Sequence, residues 1–100
     1  MNTVENLDNY LVNFLPGLLD IRRHIHAHPE LSGQEHQTAA LIAGELRSYG
    51  LSVSESIGRT GLVADIGNKK GPLVGLRVDM DALPIEEKTG LEFASRSQGI

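Results

Sequence analysis

Two acidic residues at the end of an apolar stretch are the first candidates for chemistry in this chain of 100 residues. Residues 75–85 read Gly-Leu-Arg-Val-Asp-Met-Asp-Ala-Leu-Pro-Ile, so Asp79 and Asp81 lie where a predicted strand ends. In open α/β sheets, ligands bind outside the carboxyl ends of the strands. The spacing therefore predicts that these two carboxylates belong to a binding or catalytic site.

The alternative for the same carboxylates is local turn chemistry, because acidic residues after a strand often cap a turn or the next helix. Two features favour a functional role. Arg77 and Asp79 are two positions apart on a strand and project to the same side, and no predicted helix follows for Asp81 to cap. A buried carboxylate at this place would need a cation or a histidine as its partner.

A second group of candidates is rich in histidine and consists of His24, His26, His28 and Glu30. His24 and His28 are four positions apart, a spacing that can hold a metal ion on one helix face when other elements supply further ligands. His28 precedes Pro29, however, and a residue before proline is disfavoured in a helix. We therefore predict that the histidine pair lacks regular helical geometry and favour the interpretation without a metal.

Two helices are predicted before the acidic strand. The first has apolar residues at helical spacing, with Pro16 predicting either a kink or two pieces, the second of which reaches about Ala27. The second helix is predicted from a capping box at Ser32 and Glu35 to a left-handed C-cap at Gly50. Its inward face would consist of Ala39, Ile42, Ala43, Leu46 and Tyr49.

Short strands are predicted at residues 51–57, 62–66 and 73–78, with a possible fourth at 91–93. Residues 67–71 have the glycines of a hairpin loop that would join the second and third strands antiparallel. The third strand is almost continuously apolar and is predicted to be central. The predicted fold class is thus α/β, with two N-terminal helices packed on a mixed sheet of about three to four strands.

Composition narrows the classes of function. A net charge of −4 without a basic tract argues against nucleic-acid binding, because phosphate contacts draw on clustered lysine and arginine. The sequence contains no stretch of transmembrane length and no signal-peptide pattern, so a cytoplasmic protein without membrane contact is the default expectation. The absence of cysteine excludes disulfides and thiolate ligands from these residues.

Five segments in order resemble the start of the M20 metallopeptidase family. The nearest branch contains the amidohydrolases that cleave N-acyl amino acids, hippurate and indoleacetyl-amino acid conjugates. The segments are residues 22–32, 38–40, 46–50, 61–64 and 77–85, and the match runs from about Asp20 to Gly99. Five motifs in the same order make coincidence improbable.

The resemblance implies an α/β catalytic domain that is interrupted, later in the sequence, by a smaller lid domain that commonly mediates dimerisation. It also implies two divalent metal ions, usually zinc or manganese, which activate a water to attack an amide carbonyl while a glutamate acts as general base. The implied substrates are N-acyl amino acids or small peptides.

The sequence departs from a complete family member at its C-terminal side. Residues 94–100 resemble the lead-in to the family's Met-His-Ala-Cys-Gly-His-Asp motif, whose cysteine and histidine ligands do not occur in these 100 residues. In other branches the strand ends in His-x-Asp, and here Arg77 occupies the histidine position. Only Asp79 is carried over, as an orienting residue beside the site, with Asp81 as a further candidate; no metal ligand and no cofactor-binding residue is assigned.

Residues 1–100 are therefore interpreted as an incomplete N-terminal portion of a catalytic domain that lacks the lid and is inactive alone, without tightly bound metal. A second interpretation is a non-catalytic interaction module or a self-associating remnant, because missing strands would leave the sheet edge at residues 73–78 uncovered. A third gives the histidine group a metal ion of its own, in which case His24→Ala and His28→Ala would abolish binding.

Overall fold

The computed structural model describes residues 3–68 and 70–100 and contains two helices followed by an antiparallel pair of strands. The elements are α1 (Thr3–Ala27), α2 (His36–Ser48), β1 (Ser52–Ile57) and β2 (Gly61–Asp65). The predicted α/β class and the order of two helices before the strands are confirmed.

Helix α1 is continuous for 25 residues and contains Pro16 in its interior. Of the two alternatives predicted at Pro16, a kink or two pieces, the second is wrong, because a proline removes one donor and the turns on both sides can still continue the helix. The predicted end at Ala27 is confirmed, and the backbone N–H of His28 still donates to the carbonyl of His24 at 3.1 Å. The apolar face of α1 is largely exposed, at Leu7, Tyr10, Leu11, Leu15 and Leu18.

Helix α2 begins later than the capping box predicts. Its N-cap is Glu35, whose side chain makes no cap hydrogen bond, and Gly33 has a φ of +79° that is incompatible with a helix. The predicted capping box at Ser32 is therefore wrong. Glu30 caps the helix instead, since its carboxylate accepts from the backbone N–H groups of Gln37 (3.1 Å) and Thr38 (2.6 Å).

The other end of α2 agrees with the sequence. Gly50 has a φ of +81°, and its N–H donates to the Arg47 carbonyl at 2.9 Å, so the left-handed glycine after the helix is confirmed. On the inward face Ala39 and Ala43 are buried, whereas Tyr49 is half exposed. The Tyr49 ring turns toward α1, where the ring of Phe14 lies 5.9 Å away between centroids.

Two glycines of this region permit a stability test. Gly50→Ala is expected to lower the free energy of unfolding by about 1 kcal/mol, because alanine is strained in the left-handed region. Gly44→Ala, inside α2 with open space around the added methyl group, is expected to raise it by about 1 kcal/mol. Urea unfolding followed by circular dichroism measures both, and a stabilised Gly50→Ala variant would contradict the prediction.

Strands β1 and β2 form the sheet. They pair antiparallel with Ser52 opposite Asp65 and Val53 opposite Ala64, and the register is irregular between Ser54 and Ile57. Helix α2 packs against both strands. This helix and hairpin unit holds most of the buried side chains, which include Ala39, Ala43, Thr38 and Thr60.

The predicted third and fourth strands do not form in the described part of the chain, so the sheet has two strands and not three to four. Four apolar side chains of residues 73–78 are 77% to 96% exposed. An apolar run becomes a strand only when a neighbour supplies hydrogen bonds, and residues 73–78 have no such neighbour among the described residues. The predicted hairpin to this segment is also wrong, and Lys69 in its loop lies outside the described residues.

The accessible surface and the radius of gyration both reflect this open arrangement. The accessible surface is 8291 Å², whereas a compact protein of this mass exposes about 5,500 Å². The radius of gyration is 16.1 Å, against about 13 Å for a compact domain of 100 residues. Much of the surface that a domain core would bury is therefore in contact with solvent. Neither helix in the described residues is long and apolar enough to cross a membrane.

Candidate functional site

A pocket of about 410 Å³ lies between the end of α1 and the irregular segments that follow the apolar run. Its apolar lining includes Ile25, Pro29, Met80, Ile85 and Ile100, and its polar lining consists of His26, Asp81, Glu87, Thr89 and Ser95. A concave, mostly apolar surface with a few converging polar groups is typical of ligand sites.

The two candidate carboxylates lie in different surroundings. Asp81 lines the pocket, whereas Asp79 is not part of its lining. The Asp79 carboxylate accepts a hydrogen bond from Arg77 Nη2 at 2.9 Å, with side chains that are 69% and 88% exposed. An ion pair this exposed contributes little stability. The Arg77 and Asp79 side chains are thus in contact, although the segment that carries them is not a strand.

Two backbone contacts place the pocket walls against α1 and the loop after it. The Ala82 N–H donates to the Glu30 carbonyl at 2.8 Å, which forms a parallel bridge between Leu31 and Ala82. The Arg96 N–H donates to the Ala27 carbonyl at 2.9 Å. The segment with Asp81 and the segment ending at Ile100 are thus both anchored near the C-terminal end of α1.

An aromatic contact adds to this anchoring. The Phe93 ring meets the His26 ring edge to face at 5.4 Å, and the Arg23 guanidinium lies 4.9 Å from the centre of the Phe93 ring. A cation over an aromatic face is attracted by the ring quadrupole.

Glu87 is the polar centre of the pocket and was not predicted from the sequence. Its Oε1 pairs with His26 Nε2 at 2.8 Å and accepts from the Ser95 N–H at 2.8 Å, and its Oε2 accepts from the Thr89 hydroxyl. The Thr89 hydrogen bond, then those of Ser95 and His26, lower the pKa of Glu87 to about 2. The sequence signal, a glutamate two positions before a threonine, is too common to identify such a cluster.

The low pKa of Glu87 predicts that the stability of the fold depends on pH in the acidic range. Because the folded pKa lies below the ordinary 4.5, the carboxylate stabilises the fold above pH 4.5, and this contribution is lost as the pH falls toward about 2. Urea unfolding midpoints measured across this range should decline less steeply in Glu87→Gln than in the parent chain. Glu92→Gln, at an exposed glutamate, is the matched control. Equal slopes for Glu87→Gln and the parent would contradict the prediction.

Glu35 and Thr60 form a second polar contact, away from the pocket. The Thr60 hydroxyl donates to Glu35 Oε2 at 2.6 Å, and both residues are buried. This hydrogen bond lowers the pKa of the Glu35 carboxyl below its ordinary range. The contact joins the start of α2 to the turn before β2, and we assign it a structural role.

His24, His26 and His28 do not point to one common position. The rings of His24 and His28 stack with centroids 4.4 Å apart, and His28 Nδ1 forms a hydrogen bond with the His24 carbonyl at 2.9 Å. His26 points instead to Glu87. Across residues 3–68 and 70–100, no three histidine, cysteine, aspartate or glutamate side chains form a group that could hold a metal ion.

Several known proteins are similar to this chain in sequence. No family model matches the chain. A Synechocystis protein named "probable hydrolase" is 56% identical over 96 residues, which are 94% of this chain and 24% of that protein. N-acetyl-L-cysteine deacetylase of Bacillus subtilis is 50% identical over 84 residues, which are 83% of this chain and 20% of the deacetylase.

A solved structure is also similar to this chain in fold. The YxeP protein of Bacillus subtilis, described as a dinuclear metal-binding peptidase of the M20 family, superposes with a TM-score of 0.80. It is 39% identical in sequence, and the match covers 87% of this chain and 25% of YxeP. The chain belongs to the M20 metallopeptidase family. This M20 chain spans a quarter or less of the length of each of these three relatives.

The donors of this M20 chain do not fit a dinuclear metal site of the kind described for YxeP. The pocket brings together one histidine and two carboxylates, but Glu87 is already bonded to His26, Ser95 and Thr89. No metal-binding group exists in the described residues. We therefore assign no catalytic step through a metal ion to residues of this chain.

Proposed function

We propose that this chain forms the N-terminal part of the catalytic domain of a metal-dependent amidohydrolase, which cleaves the amide bond of N-acyl amino acids or small peptides. The similarity to N-acetyl-L-cysteine deacetylase, over 83% of this chain but only 20% of that enzyme, carries the proposal. The complete enzyme would use two zinc or manganese ions, with ligands from outside these residues, and a cytoplasmic location is part of the proposal.

The exposed apolar surface supports an incomplete domain. Side chains of residues 73–78 are almost fully exposed, although the run is apolar on both faces. The apolar face of α1 is also uncovered at Leu7, Leu11 and Leu15. Apolar surface of this extent is characteristic of an interface. In the proposed enzyme, further strands and helices of the same domain cover it.

Within the proposed site, Asp79 and Asp81 have different roles. Asp81 contributes a negative charge to the pocket. Asp79, with Arg77 beside it, orients neighbouring groups at the rim. No lid, general base or metal ligand is assigned to the chain, and we expect it to be inactive and free of tightly bound metal when isolated.

The test is a chimera in which residues 1–100 replace the matching part of N-acetyl-L-cysteine deacetylase. We expect the chimera to fold and to hydrolyse N-acetyl-L-cysteine, because the chain supplies the matching structural part of that domain. The deacetylase without this part is the control and should be inactive. A chimera that folds by circular dichroism yet lacks activity would contradict the proposal, as would turnover with stoichiometric metal by the isolated chain.

The exposed segment 73–78 also favours a second candidate function, a self-associating interaction module. An uncovered apolar segment can add as a strand to the sheet of another molecule. Both candidate functions rest on the same exposed surface at residues 73–78, but they differ in what covers that surface. The rest of the domain covers it in the first candidate, and a second chain covers it in the alternative.

A further inference from the structure

We infer that Glu87 is a positioning residue of the proposed hydrolase, which holds the Ser95 end of residues 95–100 in the lining of the pocket that also contains Asp81. The inference rests on the proposed function and assigns to Glu87 a role in the geometry of the site rather than in contact with the substrate.

The first argument is the irregular backbone of the segment after Phe93. No helix or strand is formed there, so specific hydrogen bonds must determine its path. The Ser95 N–H donates to Glu87 Oε1 at 2.8 Å, and the Gly99 N–H donates to Glu86 Oε2 at 2.6 Å. Two adjacent glutamates thus hold two amides of one segment.

The second argument is the number of separate elements that meet at Glu87. Its carboxylate joins His26 at the end of α1, the Thr89 hydroxyl and the Ser95 backbone. The side chain is only 14% exposed. Hydrogen bonds to an ionised carboxylate are stronger than those between neutral groups, and partial burial protects them from solvent.

The third argument is the position of the held segment. Ser95 and Ile100 line the pocket together with Met80 and Asp81. Loss of the Glu87 carboxylate would free the Ser95 end of this segment, while Arg96 would stay bonded to Ala27 and Gly99 to Glu86. Small displacements of positioning groups slow catalysis strongly because reacting groups must be held in a narrow geometry.

Hydrogen exchange in the 100-residue chain tests the contact itself. Glu87→Ala is expected to speed exchange of the Ser95 amide by about tenfold or more, because that amide loses its acceptor. Glu86→Ala should speed exchange of the Gly99 amide and leave Ser95 unchanged. Glu92→Gln is the control and should change neither amide. Unchanged exchange at Ser95 in Glu87→Ala would overturn the inference.

Kinetics in the chimeric deacetylase test the consequence. Glu87→Ala is expected to lower kcat by about tenfold with little change in KM. Glu87→Gln should recover part of the loss, because its amide oxygen can still accept from Ser95. A lower melting temperature with unchanged kcat would indicate a merely structural role and overturn the inference. An inactive parent chimera would contradict the proposed function, while the exchange measurement would still decide whether Glu87 holds the segment.

Discussion

Asp81→Asn in the chimeric deacetylase is expected to lower kcat/KM by roughly 10- to 100-fold, the range seen when groups that support a metal site are removed. The physical reason is the loss of a negative charge from the wall of the pocket that Asp81 lines. Asparagine preserves the size of the side chain, so the effect reports on charge rather than on packing. Steady-state hydrolysis of N-acetyl-L-cysteine measures it.

Two companion variants make this experiment specific. Asp79→Asn should also lower kcat/KM, since Asp79 is proposed to orient groups at the rim and its ion pair with Arg77 is lost. Asp65→Asn, at an exposed aspartate at the end of β2, is the control and should retain the activity of the parent chimera. Full activity of both Asp79→Asn and Asp81→Asn would contradict the assignment of these two aspartates to the proposed site.

Leu76→Lys is expected to convert the isolated chain from an associated species into a monomer. Leu76 is 92% exposed within an apolar run that no neighbour covers in the described residues, and association would bury this surface. A charged side chain on an exposed edge opposes pairing with another strand. Sedimentation velocity over a range of concentrations measures the change in mass.

Ile66→Lys is the matched control, because Ile66 is 81% exposed but lies outside the apolar run. It should leave association unchanged if residues 73–78 form the contact. A parent chain that is monomeric at high concentration would contradict self-association and favour the interpretation in which this surface is covered only by the rest of the same domain.

Local structure in this protein follows closely from the sequence. The end of α1 near Ala27 and the left-handed Gly50 after α2 depend on residues within a turn or two of each other. The family resemblance depends likewise on short ordered motifs. Such features need no distant partner, which is why the class, both helices and the pair of strands were predictable.

Predictions failed where a distant or missing partner decides the outcome. The apolar run at residues 73–78 has the composition of a central strand, but strand formation requires a neighbour that the described residues do not contain. The start of α2 was misplaced because Glu30, eight positions before Thr38, caps the helix in place of Ser32. Side-chain caps from that distance have no fixed spacing in the sequence.

The sequence by itself determined the family, the two helices and the pair of strands, because these depend on local pattern and ordered motifs. Only the tertiary structure placed Asp81 in a pocket and Asp79 outside it, and only the structure identified Glu87. The pairing of Glu87 with His26 joins residues 61 positions apart. Contacts of this kind arise when the chain folds back on itself, and their geometry depends on the path of the whole intervening backbone.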